Sequence, residues 1–165
     1  MIRLLLISAL LFFSHLTEAK INTGQPAPVN LGRNANTGSD VKLGNYAGKI
    51  VVLHFWASWC DFCYKTLPAM EFLQDQLGKD NLQVISIAVK DDAKTVKEIT
   101  AEMKDMAMIS SVDKSGKVLE SFGDDYLPNI WIIGRDGKVL SQGGVKDDEE
   151  LKVAVRKIEA AIKAK

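Results

Sequence analysis

The sequence predicts a three-layer α/β domain: a central mixed sheet, helices on both faces, and a β-hairpin at its N-terminal end. Two runs, "KIVVLHFWA" and "NLQVISIAV", are apolar throughout and too short for independent helices, as strands buried on both faces are. Each is followed by a segment with apolar residues at helical spacing. A later pair of runs, "PNIWII" and "KVLSQGG", meets at Arg135–Asp136–Gly137 in the manner of a hairpin. Strand–helix repeats give parallel pairing and the hairpin adds antiparallel pairing, so the sheet is mixed.

The elements follow in order. Val29–Leu31 and Val41–Leu43, separated by the polar cluster Asn34 to Asp40, form a small hairpin ahead of the main sheet. After the first buried strand, Cys63, Leu67, Met70, Leu73 and Leu77 mark a helix over 61–77, which Gly78 stops. After the second, Val96, Ile99 and Met103 mark another helix. "MAMISSVDKSGKVLESFG" supplies a short strand and a short helix. In the last segment Leu151, Val155, Ile158 and Ile162 make one stripe, with acids at its start and lysines at its end matching the helix dipole.

The chain has 165 residues, 47% hydrophobic and 25% charged, enough for one domain with a core. Its first 19 residues join Arg3, an apolar run from Leu4 to Phe13 and the small residue Ala19, the pattern of a secretory signal peptide cleaved after Ala19. The alternative is an uncleaved anchor, but the run falls short of the roughly 18–20 apolar residues that span a bilayer; after cleavage no stable membrane insertion is expected. The domain is then 20–165, a monomer placed in the periplasm or another extracytoplasmic space. Removing residues 1–19 takes Arg3 and Glu18 together, so net charge stays at zero. With no basic block, nucleic acid is not an expected partner.

Cys60 and Cys63 are the two cysteines. One helical turn apart, they point to one side at a separation that suits a reversible disulfide. A strand-to-helix junction puts Cys60 at a helix N-terminus, where backbone N–H groups favour thiolate, and puts Cys63 deeper. Cys60 is then the nucleophile and Cys63 the resolving thiol. A structural staple is disfavoured, because the entropic benefit of a crosslink is smallest for so short a loop. A closed zinc site needs four ligands, and His54 is the one histidine beyond residue 19, so no metal is expected; a low-coordinate soft ion such as Cu(I) stays compatible. The redox-active pair is itself the cofactor.

These residues resemble the thioredoxin-like superfamily, and within it the exported thiol–disulfide oxidoreductases of the TlpA/ResA/DsbE (CcmG) type. The resemblance rests on "GQPAPVNL", on "LGNYAGKIVVLHFWASWCDFC" and on "LPNIWIIGRDGKV", and spans nearly all of residues 20–165. It implies a cis-proline at Pro128 facing the cysteines, with Leu127 before it, and a substrate surface of Trp59, Phe62, Leu127 and Pro128. Its implied partners are protein thiols and disulfides, plus an upstream electron donor such as a membrane thiol reductase; cytochrome c maturation is the family's common setting. Three positions depart from the pattern: Phe62 replaces the proline before the second cysteine, Thr66 replaces the acid three residues after it, and His54 stands where thioredoxins bury an aspartate. His54 is therefore a candidate proton acceptor for Cys63, with core packing as its alternative role. Asp61 beside the pair, and no histidine or lysine between the cysteines, tilt the reading towards a reductant. The rival class is a non-turnover adaptor or Cu(I) metallochaperone using the same groove.

Overall fold

The computed structural model describes residues 20–101, 103 and 107–164; the predicted signal peptide lies outside them. Seven strands form one mixed sheet in the order β2-β1-β5-β4-β3-β6-β7. They are β1 (Asn30–Asn34), β2 (Asp40–Lys42), β3 (Ile50–Trp56), β4 (Leu82–Val89), β5 (Ile109–Asp113), β6 (Asn129–Ile133) and β7 (Val139–Gly144). β3, β4 and β5 run parallel at the centre, and β6 and β7 continue the sheet antiparallel. Every residue of β3, β4 and β6 is buried, as expected of strands covered on both faces.

The N-terminal hairpin is part of the sheet rather than a separate unit ahead of it. β1 pairs with β5, and the close approach requires a glycine: Gly32 has φ +89°, and a Cβ there would lie 2.5 Å from the Val112 carbonyl oxygen.

The helices divide between the faces. α1 (Cys63–Leu77), α2 (Ala93–Thr100) and α4 (Asp148–Lys163) cover one face, on which Ile50, Val52 and Trp56 of β3 pack. α3 (Lys117–Ser121) and a 3-10 turn at Leu43–Tyr46 cover the other, where Val51, Leu53 and Phe55 pack. α2 ends earlier than its apolar spacing predicts. The Thr100 hydroxyl donates back to the Val96 carbonyl at 2.8 Å, and Met103 reaches the core from a turn whose N–H donates to the Thr100 carbonyl.

Two polar side chains, Gln74 buried and Glu71 half-buried, fix α1 to its surroundings. Gln74 donates to the Gly78 and Leu82 carbonyls and accepts from the Val84 N–H at 2.6 Å, tying the end of the helix to β4. Glu71 accepts the N–H groups of Ala107 and Met108 at 2.6 and 3.2 Å, tying its middle to the approach to β5. Hydrogen bonds to a charged acceptor are each worth about 1.5–3 kcal/mol, so the helix carrying the cysteines is held at several points along its length.

Candidate active site

β3 ends at Trp56 and the chain turns through Ala57–Phe62 into α1. The Cys60 N–H donates to the Ala57 carbonyl, and the Cys60 carbonyl accepts from Cys63 N at 3.0 Å. α1 therefore starts at Cys63 rather than at residue 61, and Cys60 sits in the turn ahead of it. A hydrogen-bonded turn tighter than helix occupies residues 60–63, so Cys60 faces the helix start from outside the helix.

Cys60 and Cys63 are joined as a disulfide, with their Cα atoms 5.3 Å apart, inside the range such a bond requires. The two sulfurs live in different places. Cys63 has 0% of its surface exposed and packs among Leu67, Met70 and Ile130, whereas Cys60 is part-exposed at the rim of that core. Cys60 is thus the more accessible sulfur of the pair.

Of the four residues expected to form a substrate surface, Trp59 and Leu127 line one groove, and Phe62 and Pro128 do not line it. Trp59 is 63% exposed, and with Leu127 it lines a groove of about 560 Å³ that continues past Lys90, Gly116, Leu119 and Glu120. The Leu127–Pro128 peptide is cis, and Pro128 is buried. Phe62 is half-buried, with the Lys65 ammonium 5.4 Å from its ring centre. Trp56, as its apolar neighbours suggest, is core.

His54 lies in the middle of β3, fully buried, on the face that α1 covers. Its Nε2 is 2.9 Å from the Thr66 hydroxyl, which donates to the Cys63 carbonyl at 3.1 Å. Two departures from the family pattern therefore form one contact. When the hydroxyl proton is on the Cys63 carbonyl, Nε2 is the donor to Thr66 and Nδ1 carries the lone pair. Nδ1 has no partner in the protein. Burial pushes the imidazole down to about 3, so the ring is neutral at neutral pH.

One supporting residue escapes sequence reasoning. Asp91, at the end of β4, takes the Ser58 N–H at 2.8 Å and the Ser58 hydroxyl at 2.6 Å, clamping the turn that carries Trp59 and Cys60. Tyr64 closes the same turn by donating to the Ser58 carbonyl at 2.9 Å. Lys90, just before Asp91, has φ +57°, a conformation that costs a non-glycine residue about 1 kcal/mol or more. The acidic pair Asp91–Asp92 is visible in sequence, but Asp92 caps α2 through Thr95, and nothing local separates the two roles.

Among the described residues, no group of three or more histidine, cysteine, aspartate or glutamate side chains is gathered as a metal-holding set. No helix among them is long and apolar enough to cross a membrane.

Comparison with known proteins follows the same lines. The family model described as Redoxin matches residues 22–162. The thiol-disulfide oxidoreductase ResA of Bacillus thuringiensis subsp. konkukian is 29% identical over 142 residues, 86% of this chain and 81% of that one. The thioredoxin-like protein YneN of Bacillus subtilis is 34% identical over 124 residues, 74% of this chain and 71% of its own length. Among solved structures, a Chlorobium tepidum protein assigned as the thiol:disulfide interchange protein DsbE superposes with a TM-score of 0.77 at 26% identity, covering 87% of this chain and 99% of that one. With a disulfide-forming pair at the mouth of a thioredoxin-like sheet, the chain belongs to the Redoxin family, as a thiol–disulfide oxidoreductase of the ResA/DsbE/TlpA type whose redox centre is Cys60–Cys63.

Proposed function

We propose that the protein is exported, loses residues 1–19, and reduces protein disulfides outside the cytoplasm. The observation that carries the reading is the unequal burial of the two sulfurs. In the reduced form the Cys60 thiolate attacks a substrate disulfide, releasing one substrate thiolate and forming a mixed disulfide with the other sulfur. Cys63, deprotonated in turn, attacks Cys60 and releases the second substrate thiolate. The substrate gains two electrons and the pair becomes the disulfide. Trp59, Phe62, Leu127 and Pro128 hold the substrate chain beside Cys60, and His54 takes up the proton that Cys63 gives away. The neutral imidazole has a lone pair to offer at neutral pH, and its burial-weakened basicity means that it passes the proton on rather than holding it.

The oxidised pair is then re-reduced by an upstream thiol donor, a membrane thiol reductase in the setting that the relatives suggest, with maturing cytochrome c among the candidate substrates. Equilibration with a glutathione buffer tests the direction. A reduction potential near about −270 mV fits a reductant, whereas one near about −120 mV marks an oxidant and overturns the assignment. Intact-mass analysis of exported material tests the location: the mature chain should begin at Lys20, and retention of residues 1–19 would contradict it.

A further inference from the structure

His54 is one end of a polar row. In the parallel register it lies opposite Ser86 of β4, and Ser86 lies opposite Ser110 of β5, so the three side chains project from one face of three adjacent strands. All three residues are almost fully buried, and His54 Nδ1, Ser86 Oγ and Ser110 Oγ have no partner in the protein. Their neighbours on the same face are apolar: Val52, Val84, Ala88, Val112 and Ile130.

An unpaired buried hydroxyl costs about 1–3 kcal/mol, and two serines with one imidazole nitrogen at successive register positions multiply that cost. Alanine at 86 and 110 would remove it. The same atoms are separated by the spacing of neighbouring strands, about 4.8 Å, too far for a direct hydrogen bond and suited to a bridging water with two polar partners.

We propose that His54, Ser86 and Ser110 bind a file of internal water that carries the proton of Cys63 out through the sheet. The row starts at Thr66, one helical turn from Cys63, and ends at β5, where Ala35 N–H donates to the Ser110 carbonyl and the exposed turn 36–39 follows. When Cys63 attacks Cys60, its S–H bond breaks, the Cys63–Cys60 bond forms, and the bond from Cys60 to the substrate breaks, with the electron pair leaving on the substrate thiolate. In this relay the Cys63 proton passes by way of Thr66, whose hydroxyl contacts the Cys63 backbone carbonyl, to His54 Nε2, and the proton on His54 Nδ1 leaves along the row to solvent. In the oxidised protein, with the Thr66 proton on the Cys63 carbonyl, the relay leaves a proton on Nε2 and a lone pair on Nδ1. His54 thus acts as a conductor, a role that its weak basicity fits better than storage of the proton.

The inference rests on the proposed direction of exchange and is tested separately from it. Reduced protein is mixed with glutathione disulfide, quenched in acid at intervals, and the mixed disulfide followed by mass spectrometry. In Ser86→Ala, shown to be folded by urea denaturation, the mixed disulfide should form at the wild-type rate and decay about tenfold more slowly. Ser86→Thr, which keeps the hydroxyl, should restore the decay. Ser110→Ala repeats the test on another strand should β4 not tolerate its change. In ¹⁵N NMR of the oxidised protein, the Nδ1 resonance of His54 should sit in the hydrogen-bonded acceptor range and move to the free-acceptor range in Ser86→Ala. Decay within about twofold of wild type in the folded alanine variants overturns the relay. Failure of the reduced wild type to be oxidised by glutathione disulfide at all counts against the proposed direction instead.

Discussion

Ser110 and Ser111 are neighbours in β5 and point to opposite faces of the sheet. Ser111 is fully buried, and its hydroxyl donates to the Leu31 carbonyl at 2.6 Å; Ser110 is buried and has no side-chain partner. The contrast extends to the faces themselves. On the Ser111 side, Phe122 meets Phe55 and Trp131 edge to face, with ring centres 5.3 and 4.8 Å apart. On the Ser110 side lie the buried cysteine, His54 and Ser86, beneath α1. Both faces fill a core, and each holds a buried polar atom without a partner, Trp131 Nε1 on the Ser111 side; what sets the Ser110 side apart is that its unpaired atoms lie in one row across three adjacent strands.

The largest expected effect lies on the packed face. Phe122→Ala removes the ring between Phe55 and Trp131 and should cost about 3–5 kcal/mol, read in urea denaturation, while the molecules that remain folded keep the wild-type order of cysteine reactivity. Loss of that order alongside a small change in stability would show that the two faces are not separable.

The next effect is a pH dependence on the site face. In the unfolded chain the imidazole binds a proton below about pH 6.5, and in the folded chain not until about pH 3. Stability from this group is therefore full above pH 6.5 and falls as pH drops towards 3, by about 1.4 kcal/mol per pH unit inside that window. His54→Asn removes the titration, so the stability advantage of the wild type over the variant should shrink between pH 6.5 and 4. A constant difference would mean that folded His54 protonates freely.

Asp91→Ala opens the clamp on Ser58 and should cost about 1–3 kcal/mol, with a slower first attack by Cys60 because Trp59 and Cys60 lose their fixed turn. An unchanged attack rate would make Asp91 purely structural. The smallest test returns to the two serines. Ser111→Ala loses a hydrogen bond to the protein and should cost about 1 kcal/mol, whereas Ser110→Ala, which breaks no side-chain hydrogen bond to the protein, should cost less. Equal losses in both would erase the distinction between the faces.

The chain's order of elements is readable because each long element carries its own period, 2 or 3.6, or an unbroken apolar run. The cysteines, Trp59 and Pro128 are readable because they lie in short local patterns. The rest depends on pairing across sequence distance. His54 sits in a strand that is apolar on both faces, so alternation does not say which face it takes. Its neighbours Thr66, Ser86 and Ser110 are brought to it by register and by the packing of α1. Asp91 reaches Ser58 across 33 residues. The hairpin's place in the sheet turns on Gly32, whose need for close approach to β5 appears only when the two strands are together.

The central claim is the division of labour between the two sulfurs, and trapping tests it most directly. With a protein or peptide disulfide as substrate, Cys63→Ser should accumulate a mixed disulfide through Cys60 that persists until a thiol is added, and Cys60→Ser should form almost none, because its remaining sulfur is buried. Equal trapping by the two variants, or faster trapping through Cys63, would contradict the account.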